Sequence, residues 1–220
     1  MQSRPDLAHG VARRVLIIGG GDGGMARAVL NHRTVEHVTM VEIDGGVVDF
    51  CRDMMPALSD GAFDDPRLDL VIADGADFMR TCADRFDVII IDSTDPIGPG
   101  EVLFTDSFYG HAKRCLTENG ILVTQNGVPF LQPDELRGTM RAFRSLFQVA
   151  TCYLVTVPTY TGGPMALGFG TDDAALLHVS EPTLAERLAG LDFTPGYYTP
   201  AVHRGAFALP GYVEKLVEPD

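Results

Sequence analysis

Four acidic residues of this chain stand at or just beyond the ends of apolar runs, where they could bind amines, a ribose or an adenine. Asp22 lies in the glycine turn Gly19–Gly24, which follows the first apolar run. Glu42, Asp74 and Asp92 follow the next three runs. Ligands of open α/β sheets bind at the carboxyl ends of the strands. If the runs are strands of one sheet, we expect these carboxylates to surround one site.

The glycine turn indicates a ligand that contains a nucleoside. Gly19, Gly21 and Gly24 satisfy the pattern G-x-G-x-x-G, and Glu42 follows about twenty residues later, where a carboxylate can bind a ribose diol. Asp22 would repel a dinucleotide pyrophosphate at the helix N-terminus but attract the sulfonium and amine of an S-adenosyl cofactor. The simpler alternatives are that Asp22 is a helix cap and that Glu42 is a solvated strand-end acid.

Asp74-Gly75 has two interpretations of about equal weight. The Asp74 carboxylate could accept a hydrogen bond from the exocyclic amine of adenine, with Gly75 allowing the ring to approach the backbone. Asp74 could equally cap the helix that follows.

The segment Asp92-Ser93-Thr94-Asp95 follows a fully apolar run and leads into a loop rich in proline and glycine, residues 96–100. The two carboxylates suit an ammonium group, and one of them could accept its proton. An alkylamine has a pKa of about 10.4 and must lose a proton before it attacks carbon. A turn built from aspartate and proline is the alternative.

The positions of these residues depend on alternating strands and helices. The apolar runs predict buried parallel strands, and the intervening stretches are long enough for crossover helices. Beyond residue 147 we expect two antiparallel strands, 149–157 and 165–170, joined by the loop 158–164. The predicted fold is a Rossmann-like, doubly wound α/β sheet of seven strands, of the S-adenosylmethionine-dependent transferase type. The remaining predicted strands are 15–18, 38–41, 68–72, 88–91 and 121–124, and the predicted helices are 24–33, 46–55, 76–84, 105–117 and 134–147.

Composition narrows the classes of function. The 220 residues include 30 acidic and 17 basic residues, and the net charge of -13 argues against a nucleic-acid partner. The four cysteines are widely spaced, which predicts neither a disulfide framework nor a zinc site and favours a reducing cytoplasm. No stretch approaches the roughly 20 apolar residues of a membrane span. We therefore expect a cytoplasmic protein with no membrane partner.

Together these residues resemble the spermidine synthase (polyamine aminopropyltransferase) family over nearly the whole chain. The resemblance implies transfer of an aminopropyl group from decarboxylated S-adenosylmethionine to a polyamine, with putrescine favoured, giving spermidine and methylthioadenosine without a metal. The combination of motifs is specific, although each motif alone is not. The motifs are VLIIGGGDGG (15–24), VEID (41–44), ADGADF (73–78), FDVIIIDSTDPIGPGE (86–101), PTYTGG (158–163) and AVHRGAFALP (201–210).

The resemblance implies a role for each residue that would bind the cofactor. Asp22 would bind the aminopropyl amine, and Glu42 would bind the ribose. Asp74, Gly75 and Pro99 would bind the adenine end. The remaining members of the predicted cofactor site are the turn glycines Gly19 and Gly21.

The resemblance also implies how the acceptor would be bound. Asp92 would be the proton acceptor, Asp95 would anchor the polyamine, and Tyr160 would line the polyamine channel. The loop 92–101 would close over the substrate. Ser93 and Thr94, between the two aspartates, complete the predicted substrate-binding set.

Members of this family usually carry a β-stranded N-terminal domain that contributes polyamine contacts and part of the oligomer interface. We expect a single catalytic domain over residues 1–220, with 1–12 as a lead-in and no separate β domain. A naturally short enzyme, a start site assigned too late and a protein that binds ligand without turnover are the alternatives. The assembly state stays open, with a homodimer as the candidate.

Two other classes of function share this fold. One is an amine N-methyltransferase that uses S-adenosylmethionine, against which Asp22 argues because the methyl donor carries a carboxylate. The other is a non-catalytic protein that binds a polyamine or a nucleoside.

Overall fold

Seven strands form one mixed sheet in the computed structural model, which describes residues 8–191 and 194–218. The sheet has the order β3-β2-β1-β4-β5-β7-β6, in which β1 to β5 run parallel and β7 is antiparallel to both β5 and β6. The predicted fold class is therefore confirmed. The strands are β1 (Arg14–Gly19), β2 (His37–Glu42), β3 (Leu68–Ile72), β4 (Phe86–Asp92), β5 (Leu116–Gln125), β6 (Val149–Val155) and β7 (Met165–Thr171).

The helices follow the five predicted crossover positions; three are shorter than predicted, and two keep their predicted length but begin one residue earlier. The helix predicted over 105–117 ends at Arg114 because β5 already begins at Leu116 and pairs there with Phe86. Three C-terminal helices were not predicted. The helices are α1 (Gly24–Leu30), α2 (Gly45–Met54), α3 (Pro56–Ser59), α4 (Gly75–Thr81), α5 (Asp106–Arg114), α6 (Pro133–Leu146), α7 (Glu181–Ala189), α8 (Pro200–Ala206) and α9 (Gly211–Val217).

The central strands are covered on both faces. Leu16 and Ile89 pack with α4, α5 and α6 on one face, and Val15, Ile17 and α1 form a second cluster on the other. Burial on both faces explains why these strands read as continuous apolar runs. No helix in the described part of the chain is both long enough and apolar enough to cross a membrane. Residues 1–7 of the expected lead-in lie outside the described residues.

Strand order reverses between β1 and β4, and this reversal determines where a ligand-binding crevice can open. From β1, the chain proceeds through β2 and β3 to one side of the sheet and then continues with β4 on the other side. The crossover helices leave on opposite faces, so a crevice opens at the carboxyl ends of β1 and β4. The register pairs Gly19 with Asp92 at that point.

A buried asparagine holds the carboxyl end of β5 to its neighbours. The Asn126 side chain is fully buried, and its Oδ1 accepts hydrogen bonds from Gly168 N at 3.0 Å and Thr124 Oγ1 at 2.9 Å. Its Nδ2 donates to Thr139 Oγ1 of α6 at 2.7 Å, and that oxygen also contacts the Tyr109 hydroxyl. Asn126 therefore joins β5, β7 and α6 at the carboxyl end of β5.

We predict that Asn126→Ala lowers the free energy of unfolding by about 2–4 kcal/mol, because the Gly168 amide and two hydroxyls lose a buried partner. Denaturant melts would measure the loss. The exposed Asn119 gives the matched control, since Asn119→Ala should change the stability by no more than about 0.5 kcal/mol. Similar small losses in both variants would show that this network contributes little.

Candidate active site

A cleft of about 490 Å³ opens at the carboxyl ends of β1 to β4. It brings together residues that lie far apart in the sequence, from the glycine turn to the loop after β6. All seven residues of the predicted cofactor site line it, as do four of the predicted substrate-binding residues besides Asp22. These residues are Gly19, Gly21, Asp22, Glu42, Asp74, Gly75 and Pro99, followed by Asp92, Ser93, Thr94 and Tyr160.

The glycine turn lies in direct contact with the end of β4. Gly20 N donates to the backbone oxygen of Asp92 at 3.0 Å, and Gly19 has a φ of 85°. A Cβ atom at Gly19 would lie 2.2 Å from that same oxygen, and one at Gly20 would lie 3.2 Å from Asp92 Oδ2. Glycine is therefore required here by both backbone conformation and close approach.

The Asp22 carboxylate is fixed by the turn and lies at the cleft. Its Oδ1 accepts from Gly24 N at 2.8 Å, at the start of α1, and the side chain is exposed. The N-cap residue of α1 is Gly23, so Asp22 is not the helix cap of the simpler alternative; its carboxylate binds the first helical amide from within the turn and also lines the cleft. An acid in this position makes the start of α1 less favourable for a phosphate.

Glu42 and Asp74 are oriented by the backbone around them. Glu42 is 8% exposed, and its Oε1 accepts from Asp44 N at 3.0 Å. Its Oε2 lies beside Gly21, where a Cβ atom would come within 3.0 Å. Asp74 caps α4 by accepting from the amides of residues 76 and 77 at 2.7 and 3.1 Å, and it also lines the cleft.

Apolar side chains that sequence reasoning missed form walls of the cleft. Val47 comes from α2, and Ile97, Val102 and Leu103 come from the segment after β4. That segment winds into a 3-10 helix over Gly98–Phe104. Together with Ile43 after β2, these side chains provide a surface on which a flat, apolar ring can lie.

A smaller cavity of about 100 Å³ adjoins the cleft. Asp92, Ser93 and Tyr160 line both spaces, and Gln125 lines only the smaller one. The other residues that line the smaller cavity are mostly apolar. They are Met25, Ile90, Ile91, Val123, Tyr153, Val155, Val157, Met165 and Leu167. An elongated molecule with a polar end and methylene groups would match this lining.

Two polar atoms on this cavity lack a partner within residues 8–191 and 194–218. They are Gln125 Oε1 and Ser93 Oγ, both buried. The Gln125 side chain is 6% exposed, so an unpaired acceptor there is costly unless a ligand donates to it. Gln125 ends β5, and its position at a strand end was the signal that could have identified it.

Asp95 lies behind the cleft lining, where two amides hold its carboxylate. Oδ1 accepts from Gln125 Nε2 at 3.2 Å, and Oδ2 accepts from Gln132 Nε2 at 3.0 Å. Gln132 Nε2 also lies 3.5 Å from Glu135 Oε2, and Val128 N donates to Gln132 Oε1 at 3.1 Å. The sequence placed Glu135 only within the predicted helix 134–147, and its hydrogen-bond distance to Gln132 near Asp95 was missed.

The site carries a concentrated negative charge. Burial, and then the nearby Asp95, raises the pKa of the Glu135 carboxyl to about 7. Burial also raises the pKa of Tyr160, and the charges of Asp95, Asp92 and Glu135 raise it further. The Tyr160 hydroxyl therefore lies in the field of three carboxylates, where a cation would be attracted. Among the described residues no group of three His, Cys, Asp or Glu side chains could hold a metal ion.

Comparison with known proteins gives the family. The profile of the spermine/spermidine synthase domain matches residues 1–178. This chain belongs to that family. The resemblance stated from the motifs is therefore confirmed.

Relatives match along nearly the whole chain. The polyamine aminopropyltransferase of Ruegeria sp. (strain TM1040) is 69% identical over 212 residues, which cover 96% of this chain and 75% of the relative. Polyamine aminopropyltransferase 1 of Pseudomonas aeruginosa is 56% identical, over 97% of this chain and 74% of the relative. This chain thus spans about three quarters of the length of these two relatives.

Solved structures of the family superpose closely. A spermidine synthase in complex with the transition-state analogue AdoDATO matches with a TM-score of 0.90 and 36% identity, over 97% of this chain and 72% of that one. The spermidine synthase from Thermotoga maritima matches with a TM-score of 0.88 and 36% identity, over 97% and 71% of the two chains.

We predict that Glu135→Gln changes stability in a pH-dependent way. A carboxyl whose pKa is raised by folding loses stability as the pH rises through the folded pKa, here about 7. The variant should therefore gain stability over the parent between pH 5 and pH 8, and the gain should be largest at pH 8. Thermal melts across this range would measure it.

Asp134→Asn provides the control for this measurement. Asp134 precedes Glu135 in the same helix, but its side chain is 92% exposed. The difference in stability between Asp134→Asn and the parent should change little with pH. If the stability of Glu135→Gln followed the pH in parallel with that of the parent, the Glu135 carboxyl would have the same pKa in the folded and the unfolded chain.

Proposed function

We propose that this chain transfers an aminopropyl group from decarboxylated S-adenosylmethionine to a polyamine, with putrescine as the favoured acceptor. Asp92 carries the proposal, because it lines both the cleft beside the glycine turn and the adjoining small cavity. A carboxylate at the junction of two spaces can meet a donor in one and an acceptor in the other. The products are methylthioadenosine and, from putrescine, spermidine.

The proposed donor site lies in the larger cleft. Glu42 binds the ribose hydroxyls, and Asp74 and Gly75 bind the adenine amine, with Pro99 against the ring. The apolar walls, including Val47 and Leu103, suit the base. Asp22 binds the aminopropyl ammonium, which its exposed carboxylate at the turn supports.

The proposed acceptor site lies in the smaller cavity. Apolar side chains such as Val123 and Met165 cover the methylene groups of the polyamine. Ser93 Oγ and Gln125 Oε1, which lack partners in the described part of the chain, accept hydrogen bonds from an amine. Asp95 adds negative charge close by, and Tyr160 lines the channel. Thr94 lines the cleft beside Ser93.

The reaction we propose is a direct displacement. The ammonium group of the acceptor loses a proton to Asp92. The lone pair of the resulting amine then attacks the aminopropyl methylene carbon that is bonded to the sulfonium. The carbon–sulfur bond breaks, its electron pair goes to sulfur, and methylthioadenosine leaves as a neutral thioether. Holding the two reactants together supplies much of the rate increase, and Asp92 supplies the proton transfer.

The proposed ligands agree with the charge of the chain. The net charge of -13 attracts polyamines and repels nucleic acids. We expect the protein in a reducing compartment, since all four cysteines are free thiols. A homodimer remains a prediction.

We predict that Asp92→Asn lowers turnover by about 10²–10⁴-fold and leaves methylthioadenosine binding within a few-fold. Raising the pH should partly restore the rate, because more of the amine is then neutral. Release of methylthioadenosine would measure turnover, and calorimetry would measure binding. Asp69→Asn, an exposed acid on β3, is the matched control and should keep the parent rate. A loss of less than tenfold in Asp92→Asn would exclude Asp92 as the base.

We predict that the decarboxylated cofactor binds more tightly than S-adenosylmethionine, since Asp22 repels the carboxylate that distinguishes the two. Asp22→Asn should narrow the difference, and Asp53→Asn, at an exposed position of α2, should leave it unchanged. Calorimetric titration of both ligands would test this. Equal affinities in the parent protein would favour an amine methyltransferase instead.

A further inference from the structure

We propose that Glu135 is a specificity-determining residue for the acceptor. It is linked to the acceptor site through Gln132 and Asp95, and it supplies negative charge that binds the distal ammonium group, the one far from the reaction centre. The inference rests on the proposed function, because it concerns the acceptor site of that reaction. It would distinguish a diamine from a monoamine of the same length.

The order of the carboxyl groups supports this assignment. Asp92 lies at the junction with the donor cleft, and Asp95 lies behind it, joined to Gln125 of the smaller cavity. Gln132 then bridges Asp95 and Glu135, with Nε2 at 3.0 Å from one carboxylate and 3.5 Å from the other. This chain of hydrogen bonds thus extends from the smaller cavity to Glu135, away from Asp92 and the donor cleft.

Buried acceptor atoms without a donor lie at the smaller cavity and in the hydrogen-bond chain behind it. Glu135 Oε1 is buried and has no hydrogen-bond partner among the described residues. Independently, Gln125 is more than nine-tenths buried, lines the cavity, and has an unpaired Oε1 of its own. Acceptors without donors, in a site where amides already engage Asp95, call for a ligand rich in N–H groups. An alkylammonium has three N–H donors and no acceptor.

The tyrosine at the cleft places Glu135 within electrostatic range of the acceptor. The charges of Asp95, Asp92 and Glu135 all act on the Tyr160 hydroxyl, and Tyr160 lines both the cleft and the cavity. A cation beside Tyr160 would therefore experience the same three charges. Glu135 needs no direct contact with the substrate for this effect.

The titratable groups that face Glu135 are acidic. Asp95 comes from the segment after β4, Tyr160 from the loop after β6, and Tyr109 from α5. Burial and Asp95 together raise the pKa of Glu135 to about 7, so part of the population is neutral in the empty site at neutral pH. A bound ammonium stabilises the ionised form, and binding of a diamine should therefore release a proton near pH 7.

The experiment compares the parent chain with Glu135→Gln, using calorimetric titration of putrescine and of n-butylamine into protein saturated with methylthioadenosine. Titrations run from pH 6 to pH 8.5 in two buffers of different ionisation enthalpy. Asp134→Asn is the control, since it removes an acid from the same helix at an exposed site. Thermal melts check that each variant is folded.

We expect the parent to bind putrescine more tightly as the pH rises through about 7, with release of a proton. Glu135→Gln should weaken putrescine binding about tenfold at pH 8, abolish this pH step, and leave n-butylamine binding unchanged. In turnover assays the variant should raise the acceptor KM and leave kcat within a few-fold. Asp134→Asn should match the parent throughout.

Two results would overturn the role of Glu135. One is unchanged putrescine binding in Glu135→Gln, and the other is equal weakening for putrescine and n-butylamine, which would indicate a general effect on the site. Because binding and turnover are measured separately, the proposed reaction fails on a different result. That result is a parent chain that releases no methylthioadenosine from the decarboxylated cofactor with any polyamine.

Discussion

The contact between the glycine turn and the end of β4 determines the geometry of the site. The Gly20 amide donates to the Asp92 carbonyl, and the register pairs Gly19 with Asp92, so the two segments touch without intervening side chains. This contact depends on the reversal of strand order between β1 and β4 and on the missing Cβ of Gly19, which would lie 2.2 Å from the Asp92 carbonyl oxygen. The turn proposed to bind the cofactor and the carboxylate proposed to accept the amine proton are thereby held together at the edge of the sheet.

The negative charge of the carboxylates at the site is the second constraint. Hydrogen bonds from two kinds of amide group, backbone and side-chain, stabilise it. At the cleft, backbone amides bind part of the charge: Asp22 accepts from Gly24, and Asp74 accepts from the start of α4. Behind it, side-chain amides of Gln125 and Gln132 engage Asp95. Glu135 Oε1 has no such donor among the described residues, and burial, followed by the charge of Asp95, raises the pKa of this carboxyl to about 7. A dicationic ligand would supply the missing compensation.

The sequence was sufficient for features that depend on local pattern. Apolar runs bounded by Gly19, Glu42 and Asp92 gave the parallel strands, because strands buried on both faces need continuous apolar residues. The motif combination identified the family. The strand-end rule placed the candidate donor residues at one edge, and the structure has them line one cleft, while their roles stay predictions.

Features that depend on tertiary contacts were beyond the sequence. Glu135 in the first turn of α6 has the pattern of a solvated helix start, as its exposed neighbour Asp134 is, and only the packing of α6 turns it toward Asp95. Gln125 directly follows the predicted strand 121–124 and received no role from the sequence, since its orientation follows from pairing with β7. The helices α7 to α9 are short and are stabilised by packing and by caps such as Ser180 and Thr199.

The most direct test of the proposed reaction is the identity of the product formed from a panel of amines with each of the two cofactors. Purified protein would be incubated with decarboxylated S-adenosylmethionine or S-adenosylmethionine, and products would be identified by mass spectrometry. The account predicts an amine enlarged by one aminopropyl group, together with methylthioadenosine, only with the decarboxylated cofactor. A methylated amine formed from S-adenosylmethionine, with no aminopropylated product, would contradict it.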